Sequence, residues 1–102
     1  MVKGIENNIH KIIDLCKIHK VDAFYLFGSA TTDHFNKNSD YDFLVRFNNS
    51  IELLNYADNY FTLLDKLKNI LKRDVDLVSE RSLKNSILIK EINNTKISLY
   101  ES

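Results

Sequence analysis

Short apolar runs of strand length alternate with longer segments of helical periodicity along this chain of 102 residues. Residues 5–19 carry their isoleucines mostly three and four positions apart, which is typical of an amphipathic helix. Val21–Phe27 then forms a run that is apolar except for Asp22 and stops at Gly28, as expected of a strand buried on both faces. This alternation predicts an α/β fold in which a small mixed sheet is covered on one face by helices.

The remaining elements continue the same alternation. The pattern predicts strands at 40–47 and 74–78, a long helix at 51–71, a helical run after Ser82, and an extended segment or frayed last turn at 96–100. Ser50 is available as the N-cap of the long helix. Residues 30–39 are polar and indicate a partial helical turn followed by a loop. Because no linker or repeat interrupts the chain, we expect residues 1–102 to form a single domain.

Charge and apolar patterning exclude several classes of protein. The 14 basic and 14 acidic residues cancel, so no overall field draws the protein to nucleic acid or to an anionic membrane. The local basic cluster at Lys66, Lys68, Lys72 and Arg73 is best interpreted as a solvated face, with nucleic-acid binding as the minority alternative. No segment resembles a membrane span or a secretory signal, which predicts a cytoplasmic protein. The lone Cys16 lies on the apolar face of the first helix and is expected to be buried filler.

Two aspartates at the start of the second predicted strand carry the strongest chemical signal. Asp40 and Asp42 are one residue apart, so their side chains project to the same face of a strand and repel each other. A solvated strand edge is the ordinary interpretation of such a pair, but the apolar residues that follow favour a buried strand. Carboxylate oxygens that share a face suit Mg²⁺ or Mn²⁺, which would relieve the repulsion.

The third predicted strand contains a second pair of aspartates one residue apart, Asp74 and Asp76. Asp74 follows two basic residues at the strand mouth, whereas Asp76 lies between Val75 and Leu77, so Asp76 is the better candidate. If the two strands are neighbours, Asp40, Asp42 and Asp76 converge. Such a cluster could hold two metal ions about 3.5–4 Å apart, the arrangement used in phosphoryl transfer.

Gly28 and Ser29, at the end of the first strand, are candidates for a phosphate seat. Glycine lets the backbone approach a ligand closely, and free amides of a helical turn point at an anion above the strand. A Gly-Ser pair alone is usually a simple turn. Ten residues separate it from Asp40, which is enough for a loop that returns beside Gly28. His34, in that loop, is the histidine best placed to touch a substrate; none of the histidines has zinc-ligand spacing.

The joint pattern of Gly28-Ser29, Asp40-Tyr41-Asp42 and an isolated Asp76 resembles the nucleotidyltransferase superfamily that includes DNA polymerase beta. The chain length and the phrases Ser39–Phe43, Val75–Val78 and Leu99–Glu101 resemble more narrowly its minimal nucleotidyltransferases, the MntA-like antitoxins. The resemblance implies the nucleotidyltransferase fold. It covers nearly the whole chain.

The resemblance also implies a function. It is the Mg²⁺-dependent, or Mn²⁺-dependent, transfer of AMP from ATP to a protein acceptor, with loss of pyrophosphate. It implies that Asp40 and Asp42 hold both metal ions, and that Asp76 completes the catalytic metal and helps deprotonate the acceptor. Gly28, Ser29 and Ser39 would bind the nucleotide. The implied partner is a HEPN ribonuclease toxin modified on a tyrosine.

One departure leaves alternatives open. Relatives commonly continue Gly-Ser with a basic residue, an arginine and a second glycine, whereas this chain has residues Ala30-Thr31-Thr32-Asp33. Lys37 and Arg46 are candidates to replace the missing charge. A non-catalytic antitoxin that occludes its partner is the first alternative. Transfer to a small molecule or an RNA end is the second. It is disfavoured because so short a chain has few residues with which to enclose a specific small-molecule pocket.

Overall fold

The computed structural model describes residues 2–102. Its helices are α1 (Lys3–Ile18), α2 (Leu53–Leu71) and α3 (Ser86–Thr95), and its strands are β1 (Val21–Phe27), β2 (Tyr41–Phe47), β3 (Val75–Ser79) and β4 (Ile97–Glu101). Short 3₁₀ turns follow β1 at Gly28–Thr31 and β3 at Glu80–Ser82. β1 has the predicted bounds, and the tail is the strand β4. Within residues 2–102, no helix is both long and apolar enough to span a membrane.

The four strands form one mixed sheet in the order β3-β2-β1-β4. β1 lies at the centre and pairs antiparallel with both β2 and β4. β2 and β3 are parallel, and α2 provides the crossover that a parallel pair requires. The mixed α/β class predicted from the sequence is therefore confirmed.

The main core lies between one face of the sheet and the helices α1 and α2. Its best-buried side chains come from both layers: Ile5, Ile12, Phe24, Phe43, Leu63 and Leu67. The rings of Phe24 and Phe43 stack with centroids 4.8 Å apart, which couples β1 to β2. Alternation along the strands then directs Asp42 and Leu44 of β2 to the opposite face.

The second face of the sheet is partly covered, which differs from the expectation that it is free. Ile92 of α3 packs against Tyr25, Phe27 and Leu44, which form a smaller apolar cluster with Ala23. The physical reason is that α3 has its own apolar stripe, and the outward-facing aromatic side chains of β1 provide its partner. The second face therefore offers a cleft between α3 and the strand ends.

The helix starts differ from the predictions. α1 begins at Lys3, two residues before the predicted segment 5–19. The long helix begins at Leu53 after Glu52, so Ser50 is not its N-cap. The last helix begins at Ser86 because residues 80–82 form a 3₁₀ turn. Its N-cap is Asn85, whose side-chain oxygen accepts hydrogen bonds from the amides of Ile87 and Leu88 at 3.0 and 3.2 Å.

Candidate active site

The register of the parallel strands brings two of the predicted carboxylates together. Asp42 of β2 is the direct partner of Asp76 of β3, and Phe27 at the end of β1 is the partner of Asp42 on the other side. Neighbouring strands are about 4.8 Å apart, and paired residues on one face are side by side. The structure thus places Asp76 next to Asp42, on the sheet face that α3 partly covers.

Asp42 is the electrostatic centre of this group. It is half-buried, and burial raises the pKa of its carboxyl group to about 6, with further contributions from the charges of Asp76 and Asp40. The ionised carboxylate is therefore destabilised by its surroundings. A divalent cation would remove this cost, and the hard oxygen donors present here are those that Mg²⁺ and Mn²⁺ prefer. The chemistry of the donor set fits such an ion.

The expected convergence of three carboxylates is incomplete. Asp40 is exposed and precedes the first residue of β2, so the alternation of the strand does not determine where its side chain points. Within residues 2–102, no group of three or more His, Cys, Asp or Glu side chains is already arranged to hold a metal ion. Asp76 is also exposed, and exposed side chains change rotamer in picoseconds to nanoseconds. Both Asp40 and Asp76 are nevertheless close enough for their charges to raise the pKa of the less exposed Asp42.

Gly28 is required for the close approach of Asp42 to the turn after β1. Its backbone has a φ of 75°, in the left-handed region that favours glycine. A Cβ atom at this position would also collide with the carboxylate of Asp42. The turn therefore lies directly against the buried carboxylate, as the predicted phosphate seat requires.

Two threonines close this turn. The hydroxyl of Thr31 donates to the carbonyl of Gly28 at 2.7 Å, and that of Thr32 donates to the carbonyl of Ser29 at 2.9 Å. They are two of the four residues, Ala30-Thr31-Thr32-Asp33, at which the sequence departs from the resembled family. The departure thus replaces side-chain charge by hydrogen bonds that hold the turn.

A cleft of about 460 Å³ lies above the turn and Asp42. Residues from β1, the following turn, β2 and α3 line it: Phe27, Gly28, Ser29, Thr32, His34, Asp42, Leu88, Glu91, Ile92 and Thr95. The position of His34 agrees with its selection from the sequence. In the part of the chain that the structure describes, neither lysine nor arginine lines this cleft.

The sequence analysis does not predict that α3 forms one wall of the cleft, although the spacing of its residues indicates it. Leu88, Glu91, Ile92 and Thr95 lie at positions i, i+3, i+4 and i+7, which places them on one face of a helix. The apolar members of this set predicted packing against the sheet. The polar members Glu91 and Thr95, on the same face, indicated that part of it borders a cleft.

Ser39 does not lie in this cleft. Its hydroxyl accepts a hydrogen bond from the amide of Asn36 at 3.2 Å, and its carbonyl accepts one from Arg73 at 2.8 Å. It lines a separate basic cleft together with Lys37, Asn38, Asp40, Lys68, Lys72, Arg73 and Asp74. The structure thus separates Ser39 from Gly28 and Ser29, because the loop turns back on itself before β2 begins.

The residues considered as substitutes for the missing positive charge also lie elsewhere. Lys37 belongs to the basic cleft beside Asp40. Arg46 is on β2 beyond Leu44 and forms an exposed ion pair with Glu80 at 3.9 Å. The cleft above Asp42 therefore contains acidic side chains and backbone amides, without a cation from these residues.

Comparison with known proteins identifies the relatives of this chain. The family model described as polymerase beta, nucleotidyltransferase matches residues 10–102. Two curated proteins of Methanocaldococcus jannaschii, both named "putative protein adenylyltransferase", are similar in sequence. One is 34% identical over 88 residues, covering 86% of this chain and 85% of the relative. The other is 32% identical over 81 residues, covering 78% of this chain and 77% of the relative.

Solved structures agree with this relationship. A crystal structure of a toxin–antitoxin with AMP-PNP superposes with a TM-score of 0.72 at 30% identity, covering 93% of this chain and 74% of that one. The complex of tri-AMPylated Shewanella oneidensis HEPN toxin with MNT antitoxin gives 0.66 at 27% identity, with coverages of 95% and 72%. A "putative minimal nucleotidyltransferase" gives 0.68 at 28% identity, with coverages of 91% and 90%.

The structural neighbours are thus minimal nucleotidyltransferases, and the resemblance inferred from the sequence motifs is confirmed. Fold, motif order and the match over residues 10–102 agree with one another. The chain belongs to the polymerase beta nucleotidyltransferase family.

Proposed function

We propose that this chain is a single-domain protein adenylyltransferase that transfers AMP from ATP to a tyrosine hydroxyl of a HEPN toxin and thereby acts as its antitoxin. The observation that carries the proposal is the pairing of Asp42 with Asp76 across parallel strands, directly against the turn at Gly28. In the reaction, the acceptor oxygen forms a bond to the α-phosphorus of ATP, the bond from that phosphorus to the bridging oxygen breaks, and pyrophosphate leaves. The acceptor proton passes to a carboxylate or to water.

The candidate site residues have distinct roles in this proposal. Asp42, with Asp40 and Asp76, holds Mg²⁺, which when bound neutralises the phosphates and orients the reacting oxygens. Asp76 is exposed beside Asp42 and receives the proton of the acceptor. Gly28 and Ser29 hold the triphosphate with backbone amides and one hydroxyl. Ser39 acts indirectly, through the loop that carries Asp40.

The similarity to proteins named as adenylyltransferases supports a protein acceptor. The solved complex of an AMPylated HEPN toxin with its antitoxin supports the HEPN toxin as that acceptor, and a toxin–antitoxin solved with AMP-PNP supports ATP as the donor. By the same analogy, we propose that both partners work in the cytoplasm. Nucleic acid is not required as a ligand of this chain.

Mass spectrometry of the partner tests the proposal. The purified chain is incubated with ATP, Mg²⁺ and a HEPN protein from the same genome, and the toxin is expected to gain the mass of AMP on a tyrosine. Asp42→Asn and Asp76→Asn remove a metal ligand and are expected to abolish the addition. Asp14→Asn, an exposed change on α1, serves as the control that retains it. Absence of an adduct with every nucleoside triphosphate would refute the proposal.

A second candidate function is supported by one observation. In the part of the chain that the structure describes, no lysine or arginine lines the nucleotide cleft, and Asp42 and Glu91 add negative charge to it. A chain of this kind could neutralise its toxin by occlusion alone. The variant Asp42→Asn separates the two candidates, because it would still neutralise the toxin by occlusion but not by adenylylation.

A further inference from the structure

We propose that Arg73 is a positioning residue that sets the loop carrying Asp40 for metal binding. The inference rests on the proposed function, because it treats Asp40 and Asp42 as metal ligands. Arg73 lies in the turn between α2 and β3, away from the nucleotide cleft. It therefore acts on the metal site through the backbone of the loop.

Two hydrogen bonds join Arg73 to this loop. Its Nη1 donates to the carbonyl of Asn36 at 2.6 Å and to the carbonyl of Ser39 at 2.8 Å. The carbonyl of Ser39 belongs to the peptide bond that leads into Asp40. A guanidinium that holds this carbonyl restrains the backbone from which the Asp40 side chain extends.

The same guanidinium also packs on two aromatic rings, one before and one after Asp40 in the sequence. It lies over the ring of Phe35 at 4.4 Å and over the ring of Tyr41 at 5.4 Å. These two rings stack on each other with centroids 5.0 Å apart. Phe35 precedes the loop turn and Tyr41 is the first residue of β2, so Arg73 holds both ends of the segment that contains Asp40.

The rest of the loop is tied mainly to itself. Its other hydrogen bonds join residues two or three apart, such as the amide of Asn38 to the side chain of Asn36 at 2.8 Å. Among residues 2–102, Arg73 makes the hydrogen bonds that join positions 33–40 to a distant part of the chain. Without them, the stacking of Phe35 on Tyr41 and the hydrogen bond from the amide of Tyr41 to the carbonyl of Asp74 at 3.1 Å still restrain the start of β2, but no hydrogen bond to the carbonyl of Ser39 remains from Arg73.

Arginine is suited to this role in a way that lysine is not. Its guanidinium is flat, so it stacks on aromatic rings while its N–H groups donate in the same plane. A lysine ammonium would retain the charge and a hydrogen bond, but not the stacked fork. The conservative variant Arg73→Lys is therefore expected to rescue the function only in part.

Binding of Mn²⁺ alone, measured by electron paramagnetic resonance, tests the inference without ATP or toxin. Loss of an outer partner that orients a metal ligand typically weakens metal binding by roughly 10–100-fold, so Arg73→Met is expected to weaken Mn²⁺ binding at least about tenfold. Arg73→Lys should fall between Arg73→Met and the wild type. Arg46→Met is the matched control, because it removes an exposed arginine whose ion pair is with Glu80.

Two further measurements separate positioning from general stability. Hydrogen exchange in Arg73→Met should accelerate at residues 36–39 and remain unchanged in α1. In the AMP-transfer assay, the Mg²⁺ concentration for half-maximal rate should rise while kcat at saturating Mg²⁺ stays near that of the wild type. If Arg73→Met does not fold, the same measurements on Arg73→Lys test the positioning role, and weaker Mn²⁺ binding than in the wild type is then the expected result.

The outcomes distinguish this inference from the proposed function. Wild-type protein that binds no Mn²⁺ refutes the metal ligands themselves, and with them the proposed function. Wild-type binding of Mn²⁺ with unchanged affinity in both Arg73 variants overturns the positioning role and leaves the proposed function standing. Weaker binding in Arg73→Met than in Arg46→Met, with faster exchange at residues 36–39, supports it.

Discussion

Replacing Asp42 by asparagine should stabilise the metal-free protein while removing its activity. The pKa of Asp42 is raised from its ordinary value of 3.8 to about 6, first by burial and then by Asp76 and Asp40. The folded state therefore binds this proton more tightly than the unfolded state. It follows that the wild type loses stability as the pH rises from about 4 to about 6, and that the loss persists above this range.

The size of the effect follows from the same two pKa values. One pKa unit corresponds to about 1.36 kcal/mol, so the ceiling is about 3 kcal/mol. Asp42 is only half-buried, and water screens part of the repulsion, which leaves about 1–2 kcal/mol. For a domain of this size, that free energy corresponds to a rise in Tm of roughly 5–10 °C in Asp42→Asn at neutral pH. Asparagine has nearly the same shape as aspartate, so packing is preserved.

Thermal unfolding followed by circular dichroism, in a chelating buffer from pH 3.5 to 8, tests this prediction. The Tm difference between Asp42→Asn and the wild type should be near zero at the acid end and reach its full value above pH 6. Added Mn²⁺ should raise the Tm of the wild type and leave that of the variant nearly unchanged. Asp14→Asn, exposed on α1, is the control for removal of an unburied charge. A variant less stable than the wild type at pH 7.5, or a difference independent of pH, would refute the reasoning.

Two further experiments test the turn and the core: a pair of substitutions in the turn and thiol labelling of Cys16 in the core. Gly28→Ala places a Cβ against the carboxylate of Asp42 at a φ of 75°, and should lower the free energy of unfolding by about 1–3 kcal/mol in urea titrations. Ser29→Ala, in the same turn, should leave it unchanged, and equal values for the two variants would contradict this account. Cys16 is fully buried in the core, and burial raises the pKa of its thiol to about 12. Native protein should therefore not react with a thiol reagent at pH 8, whereas denatured protein should react fully, and rapid labelling of the native state would contradict the burial.

Local periodicity was sufficient to predict most of the fold. The run at Val21–Phe27, apolar except for Asp22, matched β1 at both ends, because a strand buried on both faces is made mostly of apolar residues. The three-and-four spacing located α2, although the helix begins at Leu53, two residues after the predicted start at 51. Helix starts were less predictable, since the N-cap of α2 makes no side-chain hydrogen bond that the sequence could reveal.

The pairing of Asp42 with Asp76 could also be anticipated, since it needs only that β2 and β3 be neighbours. The positions of Asp40 and Ser39 could not. Both lie in a loop whose course depends on contacts with Arg73, more than thirty positions away in the sequence. Strand alternation says nothing about residues outside a strand, so the predicted convergence of three carboxylates went beyond what a period of two can support.

The charge distribution around the cleft explains why metal and turn must act together in this chain. A nucleoside triphosphate carries several negative charges, yet the cleft is bordered by Asp42 and Glu91, and its turn is held by threonine hydroxyls rather than flanked by basic side chains. Backbone amides at Gly28 and Ser29 provide only partial charges, so most of the compensation has to come from divalent cations on the carboxylates. Burial, and then repulsion from Asp76 and Asp40, raises the pKa of Asp42, and a bound cation would relieve the same cost, which links this half-buried carboxylate to its proposed use.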